Sequence, residues 1–334
     1  MTGSGRRPEP PLQWGILATG GIARLFTKDL LAHGHHVRAV GSRSLEPARS
    51  FAKEFGIPQA HGSYEELVAD PLVDIVYVAT PHSAHAANAR LALEHGKHVL
   101  VEKAFTLTAQ QASDVTAFAR QRGLVVMEAM WTRFLPHMHH VRALLRDGRV
   151  GQVRSLHADH TQRLVFGEDH RLNDLRLGGG ALLDLGVYPI SFAHDLLGAP
   201  TDIQARASFK PTGVDASVAT TMGHQNGAIS TTYSSMEIRG RNQATVLGTD
   251  GRIEIASIWY APARVTLYDG DGMLLEEFDE PVSGRGMQFQ AAEIERVVRQ
   301  GLTGSPVMPA EESVRVMSTM DVVRNAIGLR YPDE

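Results

Sequence analysis

The sequence contains no cysteine. That absence excludes disulfides, cysteine metal sites and thiol nucleophiles together, and it fits a reducing, cytoplasmic setting. Nor is there an excess of positive charge: 33 Lys and Arg against 37 Asp and Glu give a formal net charge of −4. Nothing in that balance draws the chain to nucleic acid or to an acidic membrane surface. No apolar run approaches the ~18 residues of a membrane span. Arg6 and Arg7 look like the start of a twin-arginine export signal, yet Pro-Glu-Pro-Pro follows and no apolar segment does. Internal repeats and low-complexity stretches are missing too. What remains is a chain of 334 residues, 43% hydrophobic and 21% charged, long enough for two domains of ordinary size. Residues 1–11, rich in Gly, Arg and Pro, are expected to form a disordered arm.

The organising stretch is His98 to Ala104. Val99, Leu100 and Val101 form a short apolar run suited to a parallel strand covered on both faces, and the strand ends by presenting Lys103. Ligands of open α/β sheets gather outside the carboxyl ends of the strands, which places Lys103 at that crevice. Upstream, Leu12 to Ala18 reads as the first strand, and Thr19-Gly20-Gly21-Ile22-Ala23 opens a helix to about Ala32. The dinucleotide fingerprint G-x-G-x-x-G/A falls on Ala18, Gly20 and Ala23, with its first glycine replaced. Strand, glycine turn and helix N-terminus still make the arrangement that holds a pyrophosphate on backbone N–H groups, with Gly20 against the phosphates.

A second strand, His36 to Ser42, ends in Ser42-Arg43-Ser44, with no carboxylate before Glu46. A site for NAD normally places Asp or Glu there, about 20 residues past the glycines. The missing acid favours NADP(H) over NAD(H), with Arg43 on the 2′-phosphate; the alternative is a solvated arginine ahead of the next helix. Helices from Glu46 to Phe55 and Tyr64 to Ala69 lead to a strand, Asp74 to Ala79, and to Thr80-Pro81-His82-Ser83-Ala84-His85, another carboxyl-end loop. A helix from Ala84 to Glu94 precedes the Lys103 strand. A helix from about Ala109 to Arg122, a strand from Leu124 to Glu128, and Trp131-Thr132-Arg133-Phe134 follow it. This alternation predicts an α/β fold with a doubly wound parallel sheet over residues 12–135.

After Gly148-Arg149-Val150-Gly151 the pattern changes. Short alternating segments, from Val153 to Gln162 through Val265 to Tyr268, are separated by Gly, Asp and Asn turns. They predict a second domain, residues 136–334, around one large and mostly antiparallel sheet. It closes on a helix from about Ala310 to Leu329 with Val316, Met320, Val323 and Ile327 as an apolar stripe. Gly178-Gly179-Gly180 precedes a segment in which Asp184, Tyr188, Ser191 and Asp195 share one side if it is helical, although Gly186 and Pro189 oppose a helix. The triple glycine points to a close backbone approach, as to a nicotinamide, or to a plain flexible loop. Sixteen histidines lack both cysteine partners and a His-Glu-x-x-His arrangement, even where His137 and His140 stand close. No metal is expected, and surface histidines account for them, with His160 retained as a substrate contact.

Gly20-Gly21-Ile22-Ala23, Glu102-Lys103, Trp131-Thr132-Arg133-Phe134, Gly179 through Tyr188 and Ala310-Glu311-Glu312-Ser313, in this order, resemble the Gfo/Idh/MocA oxidoreductases. The similarity is greatest to the branch of dimeric dihydrodiol dehydrogenase and the glucose-fructose oxidoreductases. It implies an N-terminal Rossmann domain and a C-terminal α/β domain whose open-faced sheet joins subunits into a dimer or tetramer. It also implies NADP(H)-dependent hydride transfer to or from a sugar, cyclic polyol or trans-diol. The family's Glu-Lys-Pro motif matches Glu102 and Lys103, with Ala104 replacing proline. Its Asp-x-Gly-x-His motif matches Asp184 and Gly186, with Tyr188 in the histidine position, as that branch carries.

On this resemblance Tyr188 is the general acid/base, Lys103 its electrostatic partner or itself the proton donor, and Asp184 an orienting group. Tyrosine ionises near ~10 unperturbed, and lowering it two units requires roughly 2.7 kcal/mol of differential interaction, a demand one ammonium can meet. Cofactor contacts are expected from Thr19, Gly20, Gly21, Ile22, Ser42, Arg43, Ser44, Thr80, Pro81, His82, His85, Glu102, Lys103, Trp131 and Arg133. Trp131 and Phe134, with His160, Lys103, Asp184 and Tyr188, are expected at the substrate, although Trp131 and Phe134 also suit a core; Trp259 and Phe289 are weaker candidates. The rival class is a sensor that binds NADP and sugar without turnover. Loss of Lys103 or Tyr188 would favour it, and both are present.

Overall fold

The computed structural model describes residues 10–332, so the arm expected over 1–11 lies outside it except for Pro10 and Pro11. Strand and helix alternate through the first half: β1 (Gln13–Leu17), α1 (Gly21–Ala32), β2 (His36–Gly41), α2 (Leu45–Phe55), β3 (Gln59–His61), α3 (Tyr64–Ala69), β4 (Ile75–Val78), α4 (His85–Glu94), β5 (His98–Glu102), α5 (Ala109–Gln121) and β6 (Val126–Ala129). All pair in parallel, in the order β3-β2-β1-β4-β5-β6. Ile75 to Val78 and Val99 to Val101 have no exposed surface, as expected of strands with helices on both faces. The order reverses between β1 and β4, and the carboxyl edge at such a switch point is where ligands of open α/β sheets lie. Within this sheet β3 is invisible in the sequence, because Gln59-Ala60-His61 has no apolar run and pairs at the edge with β2.

From there the chain passes through Trp131–Phe134 and α6 (Pro136–Arg146) into the second sheet. The elements are β7 (Val153–Thr161), α7 (Val187–Leu197), β8 (Pro200–Phe209), β9 (Asp215–His224), β10 (Ile229–Ser235), β11 (Ala244–Gly248), β12 (Gly251–Ile255), β13 (Val265–Asp269), β14 (Leu274–Phe278), α8 (Gln288–Arg299) and α9 (Ala310–Ile327). The sheet runs β14-β13-β12-β11-β7-β10-β9-β8, antiparallel except for the parallel pair β7 and β10. One face rests against α7, while Arg206, Ala219, Thr221 and Tyr233 of the other are exposed. Among the described residues no helix is long and apolar enough to cross a membrane.

Beyond that sheet, β14 and α8 also escape the sequence reading. Leu274-Leu275-Glu276-Glu277-Phe278 does not alternate, yet it pairs with β13. α8 buries Ala291, Ile294 and Val297 and returns to pack on α1. There Glu295 Oε1 accepts from Trp14 Nε1 and meets His35 Nδ1, both at 2.8 Å. α9 packs against α5, α7 and β8, so the end of the chain touches both sheets.

Ala18, in the place of the fingerprint's first glycine, has a φ of 89°, a conformation that glycine adopts freely and alanine does not. Glycine also gives the unfolded chain more freedom, which offsets part of the gain. Ala18→Gly is therefore expected to leave the melting temperature unchanged or raise it by a degree or two, on the order of 1 kcal/mol at most. Differential scanning calorimetry checks it; a clear fall in melting temperature would contradict this account of the turn.

Candidate active site

β5 lies between β4 and the edge strand β6, so Lys103 emerges at the carboxyl edge of the sheet, one strand in from its margin. Beneath it Glu102 is buried, and it accepts from the Tyr77 hydroxyl on β4 and from the Lys103 backbone N–H. The Lys103–Ala104 peptide is cis. His85 ties the ends of β4 and β5 together, its Nδ1 2.9 Å from the Ala104 carbonyl and its Nε2 2.8 Å from that of Thr80. A neutral ring can donate to only one of the two, and burial pushes His85 down to about 4.

Opposite Lys103 stands the segment that precedes α7. Leu182–Gly186 forms a π-type turn that runs directly into α7, rather than the plain helix or loop its sequence leaves open. Such turns occur often at functional sites. Pro189 has no N–H to return to the preceding turn. The Asp184 carbonyl there receives the Lys103 ammonium instead, at 2.6 Å. The Asp184 side chain draws three groups: Lys103 Nζ at 3.4 Å, Arg171 Nη2 at 3.2 Å and His82 Nε2 at 3.9 Å from Oδ1. Burial opposes its ionisation, but Lys103 and Arg171 outweigh burial and hold the carboxyl well below the usual carboxylate range. Burial likewise opposes the charge on Lys103, and Asp184, Tyr188 and Glu102 together keep it an ammonium.

Tyr188 is 7% exposed, with Lys103 Nζ 5.1 Å from its ring centroid. Its hydroxyl accepts from Trp131 Nε1 at 3.0 Å. The expectation that lysine lowers this phenol is only half met. Burial raises it more than Lys103 lowers it, and Tyr188 stays protonated at neutral pH. Around it, His160 lies edge-on at 4.8 Å between centroids and stacks on Tyr260 at 3.7 Å. Burial pushes His160 down to about 3, so this wall carries a neutral imidazole, and Gln162 Nε2 is 2.9 Å from its Nε2.

Lys103, Asp184, Tyr188, Trp131 and His160 are thus brought together. Other candidates go elsewhere. Phe134 is a core residue at 3% exposure. Arg133 is equally buried, and its guanidinium donates to Ser191 Oγ at 2.9 Å, Ser191 O at 2.7 Å and Glu312 at 3.1 Å. It braces α7 against α9. His82 stays at the margin of the site, with Nε2 toward Asp184 and Nδ1 2.8 Å from the Gly178 carbonyl. Trp259 is fully buried and donates to the Asp159 carbonyl, so its neighbour Tyr260 takes the place in the wall. Phe289 packs against the main core. The expectation of surface histidines fails for six of the sixteen: His82, His85, His137, His160, His194 and His224 are buried, whereas His33, His36, His95, His139 and His157 are exposed. His137 and His140 face different partners, the Trp259 carbonyl and Glu276, and among the described residues no group of three or more His, Cys, Asp or Glu could hold a metal.

The triple glycine does make a close approach, but to the protein itself. A Cβ at Gly180, where φ is +116°, would collide with the Asp215 carboxylate. That carboxylate, raised to about 7 by burial, accepts the Leu182 N–H at 2.6 Å and so holds the start of the π-type turn. Arg171, Tyr260 and Asp215 were not foreseen, because none lies in a periodic segment or a recognisable motif, and Gln162, the last residue of an alternating segment, carries nothing that marks it as a contact of His160.

At the other end of the crevice, Gly20 and Gly21 are exposed, and a Cβ on either would meet no protein atom within 4 Å. The protein's own packing does not require glycine there, whereas a phosphate resting on the first turn of α1 would. Thr19 and Ile22 flank this cradle, and Pro81 is half-buried at the end of β4. Arg43 is exposed beside buried Ser42, without an ion pair among the described residues, and Ser44 precedes α2 without capping it through its side chain. The residues present fit a dinucleotide laid across the sheet edge.

Residues 12–130 match the model of the oxidoreductase family with an NAD-binding Rossmann fold, and residues 138–254 match the GFO/IDH/MocA C-terminal domain. Trans-1,2-dihydrobenzene-1,2-diol dehydrogenase of Mus musculus is 36% identical, covering 97% of this chain and 99% of that protein. D-xylose 1-dehydrogenase (NADP(+)) of Hypocrea jecorina is also 36% identical, over 96% of this chain and 93% of its own. Among solved structures, the 3-ketoreductase KijD10 of Actinomadura kijaniata, in complex with NADP and TDP-benzene, superposes with a TM-score of 0.85 at 30% identity, covering 95% and 98% of the two chains. Aldose-aldose oxidoreductase of Caulobacter crescentus superposes with a TM-score of 0.86 at 25% identity, covering 95% and 97%. The two domains, the crevice between Lys103 and Tyr188 and these likenesses agree: the chain belongs to the Gfo/Idh/MocA oxidoreductases, in the branch of the dihydrodiol and sugar dehydrogenases, and is an oxidoreductase acting on CH–OH groups.

Proposed function

We propose that the protein interconverts a secondary alcohol and a carbonyl on a sugar, cyclic polyol or trans-diol with NADP(H), and that Tyr188 handles the proton. The observation that carries this reading is the Tyr188 hydroxyl. It accepts one hydrogen bond from Trp131, keeps its own proton to give, and lies beside a buried ammonium. When bound, the nicotinamide supplies or takes the hydride. The protein's part is to stabilise charge on oxygen. In reduction the phenol gives its proton to the developing alkoxide, and Lys103 and the Trp131 N–H stabilise the phenolate left behind. In oxidation the phenolate accepts the alcohol proton. Lys103 is the lesser candidate for donor, since the carbonyl and the carboxylate of Asp184 already engage its ammonium. Asp184 and neutral His160 are placed to meet substrate hydroxyls.

Gly20, Gly21 and the first turn of α1 would hold the pyrophosphate, with Arg43 on the 2′-phosphate. The NADP named for the xylose dehydrogenase and the reductase KijD10 supports that preference. The exposed face of the second sheet is the surface through which a homo-oligomer would form. A sensor that binds without turnover is the reading these experiments exclude.

Nicotinamide fluorescence should show NADPH binding more tightly than NADH. Arg43→Ala should weaken NADPH about tenfold or more while changing NADH little; tighter NADH binding by the wild type sinks the role of Arg43. With a turned-over sugar or diol, Tyr188→Phe should lower kcat roughly 10²–10⁴-fold and retain NADPH binding. An unchanged rate would remove Tyr188 from the chemistry. Because burial holds the phenol above its ordinary value, oxidation should quicken with pH into the alkaline range, whereas reduction should stay level through neutrality and fall only where the phenol ionises. A pH profile in both directions measures this, and an oxidation rate already level at neutral pH would contradict it.

A further inference from the structure

Arg285 stands in Ser283-Gly284-Arg285-Gly286-Met287, between β14 and α8, outside every motif considered so far. Its backbone is held with unusual care. Asp29 on α1 is 3% exposed, and its Oδ2 accepts the N–H of Arg285 at 3.0 Å and of Met287 at 3.1 Å. Both flanking glycines take left-handed φ angles, +72° and +89°. A Cβ at Gly284 would collide with Asp29, and one at Gly286 with Leu135. A loop wrapped this closely on a buried carboxylate fixes the direction in which the arginine leaves it.

That direction is toward the site. The guanidinium carbon lies 5.6 Å from the centroid of Trp131, the indole that donates to Tyr188. The same guanidinium is among the charges that act on Tyr260, whose ring centroid is 5.6 Å from that of Tyr188. Arg285 therefore lies over one member of the aromatic wall and within electrostatic reach of a second. Yet it is exposed, and among the described residues no carboxylate pairs with it. Arg171, the other arginine at the crevice, is already bonded to Asp184. An exposed cation over an indole adds little to stability. A fixed, unpaired guanidinium at the edge of a catalytic pocket is instead what recognition of a planar or tetrahedral anion needs, because its fork of donors can grip two oxygens at once.

We infer that Arg285 is a specificity-determining residue that binds a carboxylate or phosphate carried by the substrate, so that acidic sugars or polyols are preferred to neutral ones. The inference rests on the proposed oxidoreductase function only in taking the anion to be part of the substrate, and binding tests it without turnover.

The experiment titrates D-glucose, D-glucuronate and D-glucose 6-phosphate into the full chain loaded with NADPH, following nicotinamide fluorescence, for wild type, Arg285→Met and Arg285→Lys. At least one acidic sugar should bind about tenfold or more tighter than glucose, less so as salt is added. Arg285→Met should abolish that preference and Arg285→Lys keep part of it. A preference for glucuronate alone identifies a carboxylate; one for glucose 6-phosphate alone identifies a phosphate. No preference in the wild type, or one that survives in Arg285→Met, overturns the inference. So does a loss of NADPH affinity in Arg285→Met, which would put the anion on the cofactor. Turnover of the same compounds separates the two claims. Arginine-dependent binding of an acidic sugar with no redox reaction on any compound would leave Arg285 in place and count against the oxidoreductase reading. Turnover of glucose without acidic preference does the reverse.

Discussion

An ammonium shared between a backbone carbonyl and a carboxylate decides the geometry of this site. Lys103 ends a strand of one sheet, and Asp184 lies in the turn that leads to the helix covering the other. Neither charge is comfortable alone in a buried position, and each is the main influence that keeps the other ionised. The contact is therefore both a tie between two domains and the reason Tyr188 faces a cation. Removing either partner leaves an uncompensated charge in a largely buried position, which strains the junction that holds the proposed site.

The wall around the pair is chosen for neutrality. His160, pushed down to about 3, adds no charge beside Lys103, and Tyr260, raised to about 12, stays a phenol. A pocket built this way adds no charge from His160 or Tyr260, so the electrostatics at the phenol are set by Lys103, which favours its ionisation, against Glu102 and Asp184, which oppose it.

Much of this was legible in the sequence, for identifiable reasons. Parallel strands buried on both faces are contiguous apolar runs, so Val99 to Val101 declared itself, and the rule that ligands gather at carboxyl ends then located Lys103. Edge strands β3 and β14 carry no such run and could not be seen. Gly178 to Gly180 announced a close approach but not its object, since Asp215 arrives from a strand far along the chain. Arg133 looked available because nothing local reveals that Ser191 and Glu312 close on it. Burial, which no local pattern encodes, accounts for two further departures: Tyr188 stays protonated although Lys103 acts as expected, and six of the sixteen histidines lie in the interior.

The path of the chain has a mechanical consequence. It leaves the first sheet through Trp131–Phe134 and returns through the loop fastened to Asp29, after which α8 lies on α1. The second sheet is in effect a long insertion, attached at two places that sit near one another against Trp131 and Leu135. α9 bridges the same two bodies, packed on α5 of the first and on β8 of the second, and the Lys103–Asp184 contact joins them at the site. Parting the two sheets would therefore break a helix interface and an ion pair together, so the crossing is fastened on more sides than the path of the chain alone provides.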